Sequence, residues 1–124
     1  MRCPCRKKSE TTEYAECCGP FHRGTRAAPS AEALMRSRYS AFAMRNARYL
    51  LATWHPSTRP QHVDFVPEEE WVQLRVLTAH ESGDEATVEF VARSRRGGRV
   101  DSLHEASRFV REGGRWLYVD GVTK

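Results

Sequence analysis

Along residues 31–44, apolar side chains recur at intervals of three and four: Leu34, Met35, Tyr39, Phe42 and Ala43. That spacing gathers them into one stripe of a helix over Ala31–Met44, with Arg36, Arg38 and Arg45 flanking it. Ser30 suits the N-cap, and Glu32 places a negative charge in the first turn, where the helix dipole favours it. Asn46 fits either a left-handed cap on this helix or the N-cap of a second one, Ala47–Trp54. Tyr49, Leu50, Thr53 and Trp54 would face inward there, and Pro56 ends it. From Trp71 the period falls to two. Val72, Leu74 and Val76 share one face of a strand over Trp71–Leu77, and Ala86, Val88, Phe90 and Ala92 alternate with Thr87, Glu89, Val91 and Arg93 in the next. Gly97-Gly98 turns into a third strand, Val100–Arg111, and Gly113-Gly114 into a fourth, Trp116–Asp120. In the fourth, Trp116 and Tyr118 share a face opposite Leu117 and Val119.

A helical hairpin followed by a four-stranded meander predicts an α+β domain, with the helices packed on one face of a curved antiparallel sheet. Elements of this size curl into a cone with a pocket, which spans residues 30–124. Residues 1–28 are different. Tyr14 and Phe21 are their main large apolar side chains, too few to order the segment by burial, and Arg23–Pro29 reads as a linker. Much of the folding energy there would have to come from a bound ion.

The candidate ligands are all in that segment. Cys3 and Cys5 form one pair and Cys17 and Cys18 another, with 11 residues between them and Gly19-Pro20 bending the chain behind. Zinc prefers four thiolate or imidazole donors in structural sites, and a pair-gap-pair spacing wraps one ion. The reading is one structural zinc per chain on Cys3, Cys5, Cys17 and Cys18. Replacement of one of the adjacent cysteines by His22 remains the alternative ligand set. The N-terminus has no apolar targeting stretch, and no run approaches the roughly 20 apolar residues of a membrane span. A cytoplasmic setting is therefore expected, and a reducing compartment favours metal ligation over disulfides. The formal charge of +4 points weakly to nucleic acid. Residues 1–28 carry six basic and three acidic side chains, so much of the excess lies at the proposed site. Four thiolates around one zinc lower the net charge to about +2, and most of that argument fades.

Cys3-Pro4-Cys5 with Tyr14, Cys17-Cys18-Gly19 and His22 resembles the SEC-C zinc motif, named for the C-terminal tail of the SecA translocase. The stretch Leu34-Met35-Arg36-Ser37-Arg38-Tyr39-Ser40-Ala41-Phe42, then Tyr49-Leu50 and Thr53-Trp54-His55-Pro56, resembles the bacterial YchJ-type proteins, as does Ser107-Arg108-Phe109-Val110 followed by Gly114-Arg115-Trp116. The resemblance implies a SEC-C segment joined to a nuclear-transport-factor-two-like cone. One departure is visible. Cys5 is followed by Arg6-Lys7-Lys8-Ser9 where the motif has glycine, so a tight turn with positive φ would fall on Arg6 or Lys7 at greater cost.

Within the cone, His55, His104, Glu105 and Asp120 are the side chains able to move protons. His104 and Glu105 are strand neighbours and must point to opposite faces, Glu105 sharing one with Ser107 and Phe109. An arginine ion pair is the plainer expectation for Glu105, and a cap or surface place for His55. Arg36, Arg38, Arg45 and Arg48, with Tyr39 and Tyr49 nearby, outline a basic helix face for nucleic acid. Two functions follow. The first is a non-enzymatic binding module with a protein partner, its zinc knuckle tethered to the cone. The SecA tail that the motif resembles binds a partner protein. The second is a small enzyme acting on a metabolite in the cone, with Glu105, His104 or Asp120 as the acid/base group. Neither fixes the oligomeric state, and a homodimer is one arrangement the pattern allows.

Overall fold

In the computed structural model, residues 1–6 and 10–124 are described. A 3-10 turn, Tyr14–Glu16, and a five-residue helix α1, Gly19–Arg23, precede the long helix α2, Ala31–Ala43, and the short α3, Ala47–Ala52. Four strands follow: β1 Glu70–Ser82, β2 Glu85–Arg96, β3 Arg99–Glu112 and β4 Arg115–Thr123. They pair antiparallel in sequence order. The helical hairpin lies on one face, α2 touching β1, β2 and β4.

Local chemistry sets these boundaries. The Ser30 side chain accepts from Ala33 N at 3.1 Å and starts α2 as expected. Asn46 resolves to the N-cap of α3, accepting from Tyr49 N at 3.1 Å. The positive φ that reverses the chain falls on Arg45 instead, at 57°. A left-handed arginine costs free energy. Its Nη2 offsets that by donating to Val66 O and Glu69 O, and its guanidinium stacks on Phe65. Helix α3 ends at Ala52, short of the expected Trp54, because β4 takes over the backbone: Tyr118 N donates to Thr53 O and His55 N to Tyr118 O.

Alternation identified all four strands but missed three bulges, and each redirects side chains. In β1 the pairing skips Val72 and Leu77, and in β4 it skips Val119. An extra residue flips every later side chain to the other face and bends the strand. Trp71, not Val72, therefore turns inward beside Ser94, while Leu77 is left exposed. All three bulges lie in the two edge strands, and they help curl the sheet around the helices.

The core joins α2 and α3 to the concave sheet face through Leu34, Met35, Leu50, Val88, Phe90, Phe109 and Trp116. Full burial of each such side chain stabilises the fold by about 1.5–3 kcal/mol. Cys3, Cys5 and Cys18 belong to the same buried cluster. The N-terminal segment is packed on α2, where the sequence suggests a knuckle held off by a linker. Among the described residues, no helix is long and apolar enough to cross a membrane.

Candidate metal centre and cone cavity

The first residues fold back on themselves. Arg2 and Glu13 form an isolated bridge, Cys3 N donates to Thr12 O at 3.0 Å, and Tyr14 N donates to Met1 O at 2.8 Å. The N-terminal ammonium pairs with Glu13. This hairpin returns the chain to the 3-10 turn, and Cys17 and Cys18 follow it directly. Gly19 is required behind them: a Cβ there would meet the Tyr14 carbonyl oxygen at 2.8 Å. Arg6 is not among the described residues with positive φ, so the strained turn expected at Arg6 or Lys7 is absent from the first, and Lys7 lies outside the described residues.

The four sulfurs converge. All lie within 4.8 Å of one another, three of the cysteines are buried, and Cys17 is half-buried. Cys3–Cys5 and Cys5–Cys18 are each 3.7 Å apart, Cys5–Cys17 3.6 Å and Cys17–Cys18 4.0 Å. A tetrahedron of sulfurs about 2.3 Å from a central zinc has edges of roughly 3.8 Å. Four such cysteines could hold a metal ion, and the spacing fits one.

Without a cation the thiols cannot all ionise. Hydrogen bonds from Cys18 and then Cys5 hold the Cys3 thiol far below its ordinary range. Its hydrogen bonds to Cys3 and Cys5, together with burial, drive the Cys18 thiol far above it. At Cys5 the Cys18 thiol lowers the pKa, but Cys3, burial and repulsion from Cys3 and Cys17 outweigh it and push it up to about 12. A divalent ion at the centre would remove that repulsion. Arg6 Nε donates to Cys17 Sγ at 3.4 Å and Arg36 Nη1 to Cys5 O at 3.2 Å, which brings positive charge to the rim.

His22 stands outside the cluster with both nitrogens engaged. Nε2 lies 2.8 Å from Ser37 O, and because a carbonyl only accepts, Nε2 carries the proton. Nδ1 then accepts from the Tyr14 hydroxyl at 2.6 Å. Burial, partly opposed by the Ser37 hydrogen bond, lowers its pKa and keeps the ring neutral. Its role here is to tie the knuckle to α2. Cys3 Sγ, 3.5 Å from Ser40 Oγ, makes a second tie.

Between the helices and the sheet lies a cavity of 240 Å³ with mostly aromatic walls. Of the proton-moving candidates only Glu105 lines it. Its Oε2 accepts from Ser107 Oγ at 2.8 Å, and its side chain lies where a Cβ on residue 121 would sit, so Gly121 makes its room. No arginine pairs with Glu105 among the described residues, contrary to expectation. His104 points away from the cavity and meets Glu89 at 2.6 Å. Asp120 also lies outside. Strict alternation from Tyr118 would have turned it inward, but the bulge at Val119 sends it out to a two-pronged pair with Arg108 at 2.7 Å. That pair holds the Asp120 carboxyl below its usual range. His55 is occupied outside the cavity by Ser57 and Glu112.

Arg38 is the cavity residue that the sequence reading misplaced. It lies four residues from both Leu34 and Phe42, and so on the apolar stripe itself, yet its charge suggested a flank. Only 5% of it is exposed.

A curved four-stranded sheet carrying a helical hairpin, with a four-cysteine knuckle docked on the longer helix, defines an NTF2-like α+β protein with an N-terminal cysteine centre. The profile described as "YchJ, middle NTF2-like domain" matches residues 30–121, and the chain belongs to this YchJ-like family. A UPF0225 protein of Polaromonas naphthalenivorans is 51% identical over 133 residues, covering 96% of this chain and 95% of that one. Another from Streptomyces coelicolor is 53% identical over 125 residues, covering 96% and 93%. Among solved structures, a SEC-C motif containing protein from Rhodopseudomonas palustris superposes with a TM-score of 0.87 at 40% identity, covering 100% of this chain and 99% of that one. A SEC-C motif containing protein from Psychrobacter arcticus gives 0.82 at 28% identity, covering 100% and 83%.

Proposed function

We propose that the chain is a non-catalytic binding module. One structural zinc, held by Cys3, Cys5, Cys17 and Cys18, pins its N-terminal segment to α2. The observation that carries this reading is the sulfur cluster: four of its six spacings are 3.6–4.0 Å, close to the edge of a zinc tetrahedron, and all six are within 4.8 Å. Four thiolates leave no open position for water or substrate, which separates structural from catalytic zinc. The module spans residues 1–28 as the knuckle and 30–124 as the cone, and the reducing cytosol is the setting its free thiols suit.

A protein partner fits better than nucleic acid. Three arginines of the basic helix face expected from the sequence are already committed: Arg36 to Glu32 and Cys5 O, Arg45 to loop carbonyls, and Arg38 to the interior. The competing enzyme reading rests on Glu105 alone, since His104 and Asp120 lie outside the cavity.

Cobalt substitution tests the closed site. The cobalt protein should show the spectrum of a tetrahedral four-sulfur site, unchanged by added azide or imidazole. A spectrum that shifts as such a ligand binds would reveal an open coordination position and overturn the structural assignment.

A further inference from the structure

Arg38 is a buried cation without an anion. Its Nη1 is spent on structure, donating to Leu50 O at 2.8 Å and to Thr53 Oγ1 at 2.7 Å. Its Cζ sits 4.9 Å from the Trp54 ring centroid and 4.5 Å from that of Tyr118, so two aromatic faces hold the guanidinium in place. Burial lowers its pKa only to about 10, which leaves it charged at neutral pH. Among the described residues no carboxylate lies in ion-pair range of it, and neither Nε nor Nη2 donates to any group. Those two N–H groups form one edge of the guanidinium fork, with the geometry that grips a carboxylate through two parallel hydrogen bonds. The protein fixes the other side of the fork and leaves this edge unused.

Arg38 lines the 240 Å³ cavity. An apolar cavity of about 150 Å³ accommodates benzene, so this one has room for a single ring with a charged substituent. Its walls include Tyr39, Trp54, Trp71, Phe90 and Phe109, which suit a flat apolar body. Two of these residues carry buried polar atoms without partners among the described residues, the Tyr39 hydroxyl and the Trp54 indole nitrogen. Glu105 shares the cavity and would repel a second negative group.

We propose that the cone cavity binds a one-ring aromatic monocarboxylate, its two oxygens accepting from Arg38 Nε and Nη2 and its ring lying among the aromatic walls. This site is separate from the cysteine cluster and does not depend on the metal reading.

The test titrates the intact chain with benzoate, its neutral ester methyl benzoate, and the dicarboxylate terephthalate, followed by NMR of the arginine Nε–H and indole N–H resonances. Benzoate should bind saturably and move the Arg38 and Trp54 signals. The ester should bind at least about tenfold more weakly, as loss of a charge-assisted pair implies, and the dicarboxylate likewise, through repulsion of its second carboxylate by Glu105. Arg38→Lys keeps the charge but loses the fork, and should weaken benzoate about tenfold while leaving the ester unchanged. Should that variant fail to fold, the comparison of acid and ester on the unaltered chain decides the matter. Equal affinity for acid and ester, or no saturable shift with benzoate, overturns the proposal.

Discussion

His22 joins two parts of the molecule with one neutral ring, donating to Ser37 O and accepting from Tyr14. Its folded pKa lies below the ordinary histidine value of about 6.5, chiefly through burial. The unfolded chain therefore takes up the proton first as pH falls. The stability linked to His22 is present above about pH 6.5 and is lost as pH falls toward the folded value. Wild-type protein should accordingly lose more thermal stability between neutral pH and about pH 5.5 than His22→Gln does, and NMR should find the Nε2–H tautomer. Equal pH slopes for the two proteins would contradict this. At this scale the sequence was legible where spacing decides: the cysteines, the Ser30 cap and the inward face of Glu105. It was illegible where a side chain defies its usual place. Arg38 sits on the apolar stripe by spacing, but interior arginines are rare enough that the charge dominated the reading.

Strand β4 shows what periodicity conveys and what it omits. Alternation found the strand and put Trp116 and Tyr118 inward, yet nothing in Leu117–Gly121 marks the extra residue at Val119. Asp120 consequently seemed a cavity group and is instead the exposed partner of Arg108. Deleting Val119 removes the extra residue, so Asp120 follows Tyr118 directly and should keep its outward place beside Arg108. The exposed pair should survive the deletion, and Asp120→Ala should lower the melting temperature equally little in the deleted and the unaltered chain. A much larger loss in the deleted chain would show that Asp120 had turned inward. The short helix α1 and the 3-10 turn escaped the reading for another reason: in so small a segment, the fold-back and the sulfur cluster set the local structure, not hydrophobic period.

At the scale of the whole molecule the question is how far the knuckle and the cone depend on each other. The cone has its own core around Val88, Phe90, Phe109 and Trp116, yet Cys3, Cys5 and Cys18 share the buried cluster of α2. A strong chelator should therefore disorder residues 1–28 and leave most of the far-ultraviolet signal intact, while lowering the melting temperature of what remains. A melting temperature unmoved by chelation would mean that the contacts with Ser37 and Ser40 contribute nothing to the cone. The most direct test of the central claim is metal content per chain in protein purified without chelator. About one zinc is expected, lost in Cys5→Ser and retained in His22→Gln. Absence of metal alongside four freely titratable thiols in the native protein would contradict it.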